Sequence, residues 1–199
     1  MAVNEAVSNY FLQSITELQD GFTHLKNDAA TIKSLQTAVH LCTNAYSLGN
    51  KILIAGNGGS AADAQHFAGE LVSRFQFNRP ALSAIALTTD SSILTSIGND
   101  YGYANVFARQ IEAHGRHGDI FIAISTSGNS ANILKAIESA KSIGLIVIGL
   151  TGRVGGEMKP MCDICLCAPS DSTPRIQEFH LVFEHILCAC IESSLFGVQ

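Results

Sequence analysis

Apolar residues along this chain recur with two different periods. Near the start, Phe11, Ile15, Leu18, Phe22 and Leu25 step by four and three. That spacing predicts a helix over residues 3–26 with a short seam. Asn27-Asp28 interrupts it, and Asp28 is of a type that caps a second helix, running to Leu48 and stopping at Gly49-Asn50. From there, short continuous apolar runs alternate with helical stretches. Residues 51–55, 81–87, 119–124, 145–150 and 164–168 read as buried strands. Between them the pattern predicts a helix from the first glycine loop to Phe75, then helices over 91–97, about 105–113 and about 131–143. Residues 98–102 read as a loop. The last helix opens at Ser172-Thr173-Pro174, a cap followed by proline in the first turn. Strands alternating with helices predict an α/β fold built on a doubly wound parallel sheet. The two leading helices find no sheet face in that scheme. A role in subunit contacts is the favoured expectation for residues 1–48, with ordinary packing on their own domain as the alternative.

Composition narrows the class. The chain has 199 residues, 47% hydrophobic and 15% charged, with a formal charge of −5. This suits one domain with a buried sheet and a large interface. No basic cluster marks a nucleic-acid groove. No apolar run is expected to span a membrane, and the N-terminus lacks the basic start and long apolar core of a signal peptide, so a cytoplasmic location is expected. Among six cysteines, Cys162-x-x-Cys165-x-Cys167 invites a zinc reading. No second Cys/His pair completes it, and the segment alternates like a strand, so buried thiols in a reducing compartment are expected.

Two loops carry the candidate chemistry. Gly56-Asn57-Gly58-Gly59-Ser60 follows the first strand, and Ser125-Thr126-Ser127-Gly128-Asn129-Ser130 follows the third. Each opens a helix, a geometry that aims unpaired N–H groups and a positive dipole end at an anion. If their strands are neighbours, both loops lie at the carboxyl edge of the sheet, where such folds bind ligands. Gly56-x-Gly58-x-x-Ala61 approximates a dinucleotide fingerprint, but the acidic residue needed about 20 residues on is missing. There is no Walker A lysine either.

Two helices supply polar faces. His66 and Glu70 lie one turn apart, off the apolar stripe of their helix. On the last helix, Gln177 and His185 share a ridge, with His180 and Glu184 beside it. The plain alternatives are a solvated Glu–His pair and core or interface histidines. Together, the residues have the types needed for a metal site or an acid–base couple.

At this point the chain resembles a known family. GNGGSAADAQHFAGEL, SIGNDYG, STSGNSANILKAI, LTGRVGGEM and RIQEFH-x4-H resemble the sugar isomerase (SIS) domain, and within it the phosphoheptose isomerases. The likeness spans nearly the whole chain, which would then be a single SIS domain over 1–199. The resemblance implies a flavodoxin-like three-layer sandwich, assembled as a homotetramer with active sites between subunits. It implies that sedoheptulose 7-phosphate and D-glycero-D-manno-heptose 7-phosphate are interconverted, the first step of ADP-heptose synthesis for lipopolysaccharide core. Asn57, Gly58, Gly59, Ser60, Glu70, Asn99, Asp100, Ser125, Thr126, Ser127, Ser130 and Gln177 match the substrate positions. His66, Glu70, Gln177 and His185 match the ligands of one zinc per subunit, and Glu70 and His185 the proposed base and acid. A non-enzymatic relative that binds the replication initiator DnaA shares several motifs. In that group the positions of Glu70 and His185 are not acid and histidine, so the enzyme is the expected reading.

Overall fold

The computed structural model describes residues 2–197. Two long helices come first, α1 (Ala2–Asn27) and α2 (Ala29–Ser47), joined at Asp28. The Asp28 side chain accepts from the Ala30 N–H at 3.0 Å, the cap its residue type predicts. Then follow β1 (Ile52–Ala55), α3 (Gly59–Val72), β2 (Ala84–Ala86), α4 (Ser91–Tyr101), α5 (Ala108–His114), β3 (Ile120–Ser125), α6 (Ala131–Ile143), β4 (Ile146–Thr151), β5 (Ile164–Cys167) and α7 (Thr173–Phe196).

The five strands form one all-parallel sheet in the order β2-β1-β3-β4-β5. Two faces need covering, and the pleat divides the strand residues between them. Ile52, Ile54, Ile120, Ile122, Ile148 and Leu150 point to one side. There they meet Cys42 of α2, Phe67 and Leu71 of α3, and Phe183, Leu187 and Ile191 of α7. Leu53, Phe121, Ala123 and Val147 point to the other side, against Phe107, Ile111, Ile133 and Ile137 around α5 and α6. The result is the predicted three-layer α/β sandwich.

Several element boundaries differ from the sequence reading. α3 stops at Val72 instead of reaching Phe75. Arg79 donates to the carbonyls of Glu70 and Leu71, which a longer helix would use, and Glu192 takes the amide of Phe75. α4 continues through Asn99 and Asp100, where a loop is predicted, and ends at Gly102 with φ of 81°. Among the described residues one helix, α7, is long and apolar enough by length and composition to cross a membrane, against the expectation that no apolar run is. In the fold, its Phe179, Phe183, Leu187 and Ile191 are buried.

The seam on α1 divides in two. Leu18 and Leu25 pack toward α7, and the Phe22 ring meets Phe179 edge-on at 5.0 Å. Gly21 lies so close to Phe179 that an added Cβ would sit 2.2 Å from the ring. This half therefore packs within its own chain, the alternative reading for these helices. The other half projects: Phe11 is 61% and Ile15 40% exposed, and Val7 and Leu12, outside the seam, are exposed beside them.

Candidate active site

β1 and β3 are neighbours, with Ala55 level with Ala123, so both loops emerge side by side at the carboxyl edge. The chain leaves β1 through Gly56 and turns at Gly58, whose φ of 56° suits glycine. Gly59 opens α3 under the Gln177 side chain, where a Cβ would come within 2.3 Å of the amide nitrogen. No side chain caps α3. At the head of α6, Ser130 is of a capping type, yet its hydroxyl pairs with the Ser125 hydroxyl at 2.9 Å and caps nothing. The neighbouring N-termini of α3 and α6 are thus left without side-chain caps at one edge of the sheet, an arrangement suited to a phosphate group, and Ser172 does not cap α7 either, against the sequence expectation.

The loops are braced from behind. Asn57 and Asn132 exchange two hydrogen bonds of 2.9 and 2.8 Å, and the Tyr103 hydroxyl donates to Asn57 Oδ1 at 3.2 Å. In the second loop, Ser127 Oγ accepts from the Asn129 N–H at 3.1 Å. The segment after β4 closes over it: Gly152 N–H donates to the Thr126 carbonyl and Met158 N–H to that of Gly128. Glu157 N–H donates to Asn129 Oδ1. Thr126 and Ser127 remain accessible on the open side. Asn99 and Asp100 are exposed at the end of α4, and their side chains bond to each other at 2.7 Å. Among the described residues neither bonds to a loop; Tyr103 makes that connection. Tyr103 and Asn132 are site residues the sequence reading missed. Asn132 lay inside a recognised motif, but its buried partner could be known only from the sheet order.

The polar faces of α3 and α7 meet beyond the glycine loop. His66 Nε2 lies 3.0 Å from His185 Nε2, and 3.8 Å from Glu70 Oε1. The Phe75 ring rests against His185 at 5.5 Å. His66, Glu70 and His185 are therefore brought together, with Gln177 at the head of the same helix. The donor types fit zinc, and the two imidazole nitrogens are close to the roughly 3.3 Å spacing of two ligands at about 2.0–2.1 Å from one tetrahedral ion. Among the described residues, however, no group of three or more His, Cys, Asp or Glu side chains is arranged to hold a metal. Cys162, Cys165 and Cys167 are free thiols, and hydrogen bonding from Cys162, more than burial, pushes Cys165 up to about 12.

A buried polar layer lies under this cluster. His180, fully buried, donates from Nε2 to the Thr151 carbonyl, while its Nδ1 has no partner. Both carboxyl oxygens of Glu184 and one of Asp63 are also unpartnered. Burial pushes Glu184 up to about 9, and the nearby Asp63 charge adds to it. Burial also pushes His180 down to about 4 from its usual 6.5. An unfolded chain therefore binds a proton in that window that the folded chain refuses, so stability present above pH 6.5 is lost as pH falls toward 4. His180→Gln should flatten this acid limb, by up to about 3 kcal/mol. Urea unfolding of both proteins at pH 7 and pH 4.5 measures it, and equal losses in the two would reject the assignment.

Comparison with known proteins agrees with this geometry. The SIS domain model matches residues 11–152. The phosphoheptose isomerase of Aneurinibacillus thermoaerophilus is 57% identical over 169 residues, 85% of each chain. Phosphoheptose isomerase 2 of Campylobacter jejuni is 54% identical over 195 residues, covering 98% of this chain and 95% of that one. Among solved structures, the phosphoheptose isomerase GmhA of Neisseria gonorrhoeae superposes with a TM-score of 0.84 at 43% identity, over 96% of this chain and 99% of that one. The phosphoheptose isomerase of Francisella tularensis gives 0.88 at 38%, over 97% and 100%. These relatives carry an enzyme's name, so the non-enzymatic alternative is not favoured. With two uncapped loops on neighbouring strands and an acid–histidine cluster beside them, the chain belongs to the SIS-domain family, among the phosphoheptose isomerases.

Proposed function

We propose that the chain interconverts sedoheptulose 7-phosphate and D-glycero-D-manno-heptose 7-phosphate. The observation that carries this reading is the convergence of Glu70, His66 and His185 beside two uncapped helix N-termini. The phosphate would sit against Gly58, Gly59 and the hydroxyls of Thr126 and Ser127, taking N–H groups and the positive ends of α3 and α6. The sugar would then extend toward the histidines. Glu70 removes the C1 proton of the ketose, giving an enediolate, and returns it to C2 of the aldose. His185 protonates the oxygen that becomes the new hydroxyl and takes the proton from the one that becomes the carbonyl. His66, Glu70, Gln177 and His185 would hold one zinc per subunit, which when bound supplies positive charge to the enediolate oxygens. The product would enter ADP-heptose synthesis for lipopolysaccharide core, in the cytoplasm. The working form would be a homotetramer with sites between subunits.

Incubation with sedoheptulose 7-phosphate should yield the aldose, and no turnover of this substrate would reject the reading. Elemental analysis of protein purified without chelator should find about one zinc per chain, and His66→Ala should lose most of it. Full activity in metal-free protein would reject the requirement for the ion alone.

A further inference from the structure

We propose that Arg79 and Glu192 form a positioning clamp that holds Glu70 and His185 in register with each other. The inference rests on the catalytic reading above but concerns residues that reading does not use. Both side chains are 1% exposed, with Arg79 Nε 3.9 Å from Glu192 Oε1. Arg79 donates from one terminal nitrogen to the Glu70 carbonyl at 2.9 Å. From the other it donates to the Leu71 carbonyl at 2.8 Å and to the Pro80 carbonyl at 2.9 Å. A guanidinium thus caps the last turn of α3, where carbonyls lack helical partners and the dipole end is negative. It grips the backbone of Glu70 itself.

Glu192 holds the other side. Its carboxylate accepts from three successive N–H groups, those of Phe75, Gln76 and Phe77, at 2.9 to 3.2 Å. This fixes the bend after α3, and that bend carries the Phe75 ring against His185. His185 and Glu192 lie two turns apart on α7. Three links therefore close a loop: Glu70 to Arg79, Arg79 to Glu192, and Glu192 through Phe75 to His185. A purely structural ion pair would need no such connection to both members of the proposed acid–base couple.

Arg79→Lys keeps the charge but loses the fork of donors. Glu192→Gln keeps the shape and turns an N–H group toward N–H groups. Both should lower the melting temperature, so turnover is measured per folded molecule, with the folded fraction from circular dichroism. A misplacement of about 1 Å can cost 10²-fold in rate. We expect kcat for sedoheptulose 7-phosphate to fall at least tenfold in each, with KM within about threefold. The double variant should be little worse than the weaker single, because the two act as one unit. Phe75→Leu leaves the pair intact and removes the ring from His185. It should fold normally and also lose kcat with KM unchanged. Wild-type kcat per folded molecule in the two clamp variants, or in Phe75→Leu, overturns the clamp while leaving the catalytic reading intact. An inactive wild type overturns both.

Discussion

Glu70→Gln should leave a folded, sugar-binding protein whose turnover is lower by about 10²–10⁴-fold, the usual range for loss of a general base. The substitution keeps the side chain's length and shape, and the neighbouring His66 stays in place. The backbone carbonyl of Glu70 still receives Arg79. KM should change little, because the proposed phosphate contacts lie on Gly58, Gly59, Thr126 and Ser127, away from the carboxylate. Circular dichroism and substrate protection against unfolding separate a catalytic loss from a folding loss. Turnover within about threefold of wild type, in folded protein, would remove Glu70 from the proton transfer.

The second large effect concerns assembly. Changing Val7 and Phe11 together to Asp should split the proposed tetramer and lower activity with it. Both residues lie on the projecting half of α1, at 63% and 61% exposure. Val7, Tyr10, Phe11 and Leu12 form an exposed apolar group suited to a subunit contact, and burying each side chain is worth about 1.5–3 kcal/mol. In a symmetric assembly the loss recurs at every equivalent contact. Phe22 is the poorer target, because its ring already rests on Phe179 and a charge there would disturb the subunit itself. Light scattering with a parallel assay measures both effects. A variant that keeps wild-type mass shows that this face is not the interface. One that dissociates and stays fully active shows that each subunit carries a complete site.

Much of this molecule was legible in its sequence because the informative signals were local. Buried strands, glycine turns and helix stripes are written in adjacent residues, and they gave the sheet and both loops. His66 with Glu70, and Gln177 with His185, follow from helical periodicity, although only the fold places His66 3.0 Å from His185. What the sequence hid depends on distant partners. Tyr103 reaches Asn57, and Glu192 reaches the amides of residues 75–77, through contacts that no spacing rule encodes. The early stop of α3 is hidden for the same reason. Its apolar stripe continues to Phe75, and tertiary hydrogen bonds to Arg79 and Glu192 override it. The division of the α1 seam likewise required knowing where α7 lies.

That last packing has a consequence for synthesis. α2 and the second half of α1 bury part of their apolar sides against α7, which comes far later in the chain. As the chain leaves the ribosome, the Phe179 surface that Phe22 meets is made long after α1 itself. At about 5–20 residues per second, the gap from Phe22 to Phe179 is on the order of ten seconds or more. Through that interval the leading helices must wait with their stripes uncovered. Limited proteolysis of stalled nascent chains should therefore find α1 and α2 open to cleavage until α7 has emerged, and protection before that point would show that they pack without it.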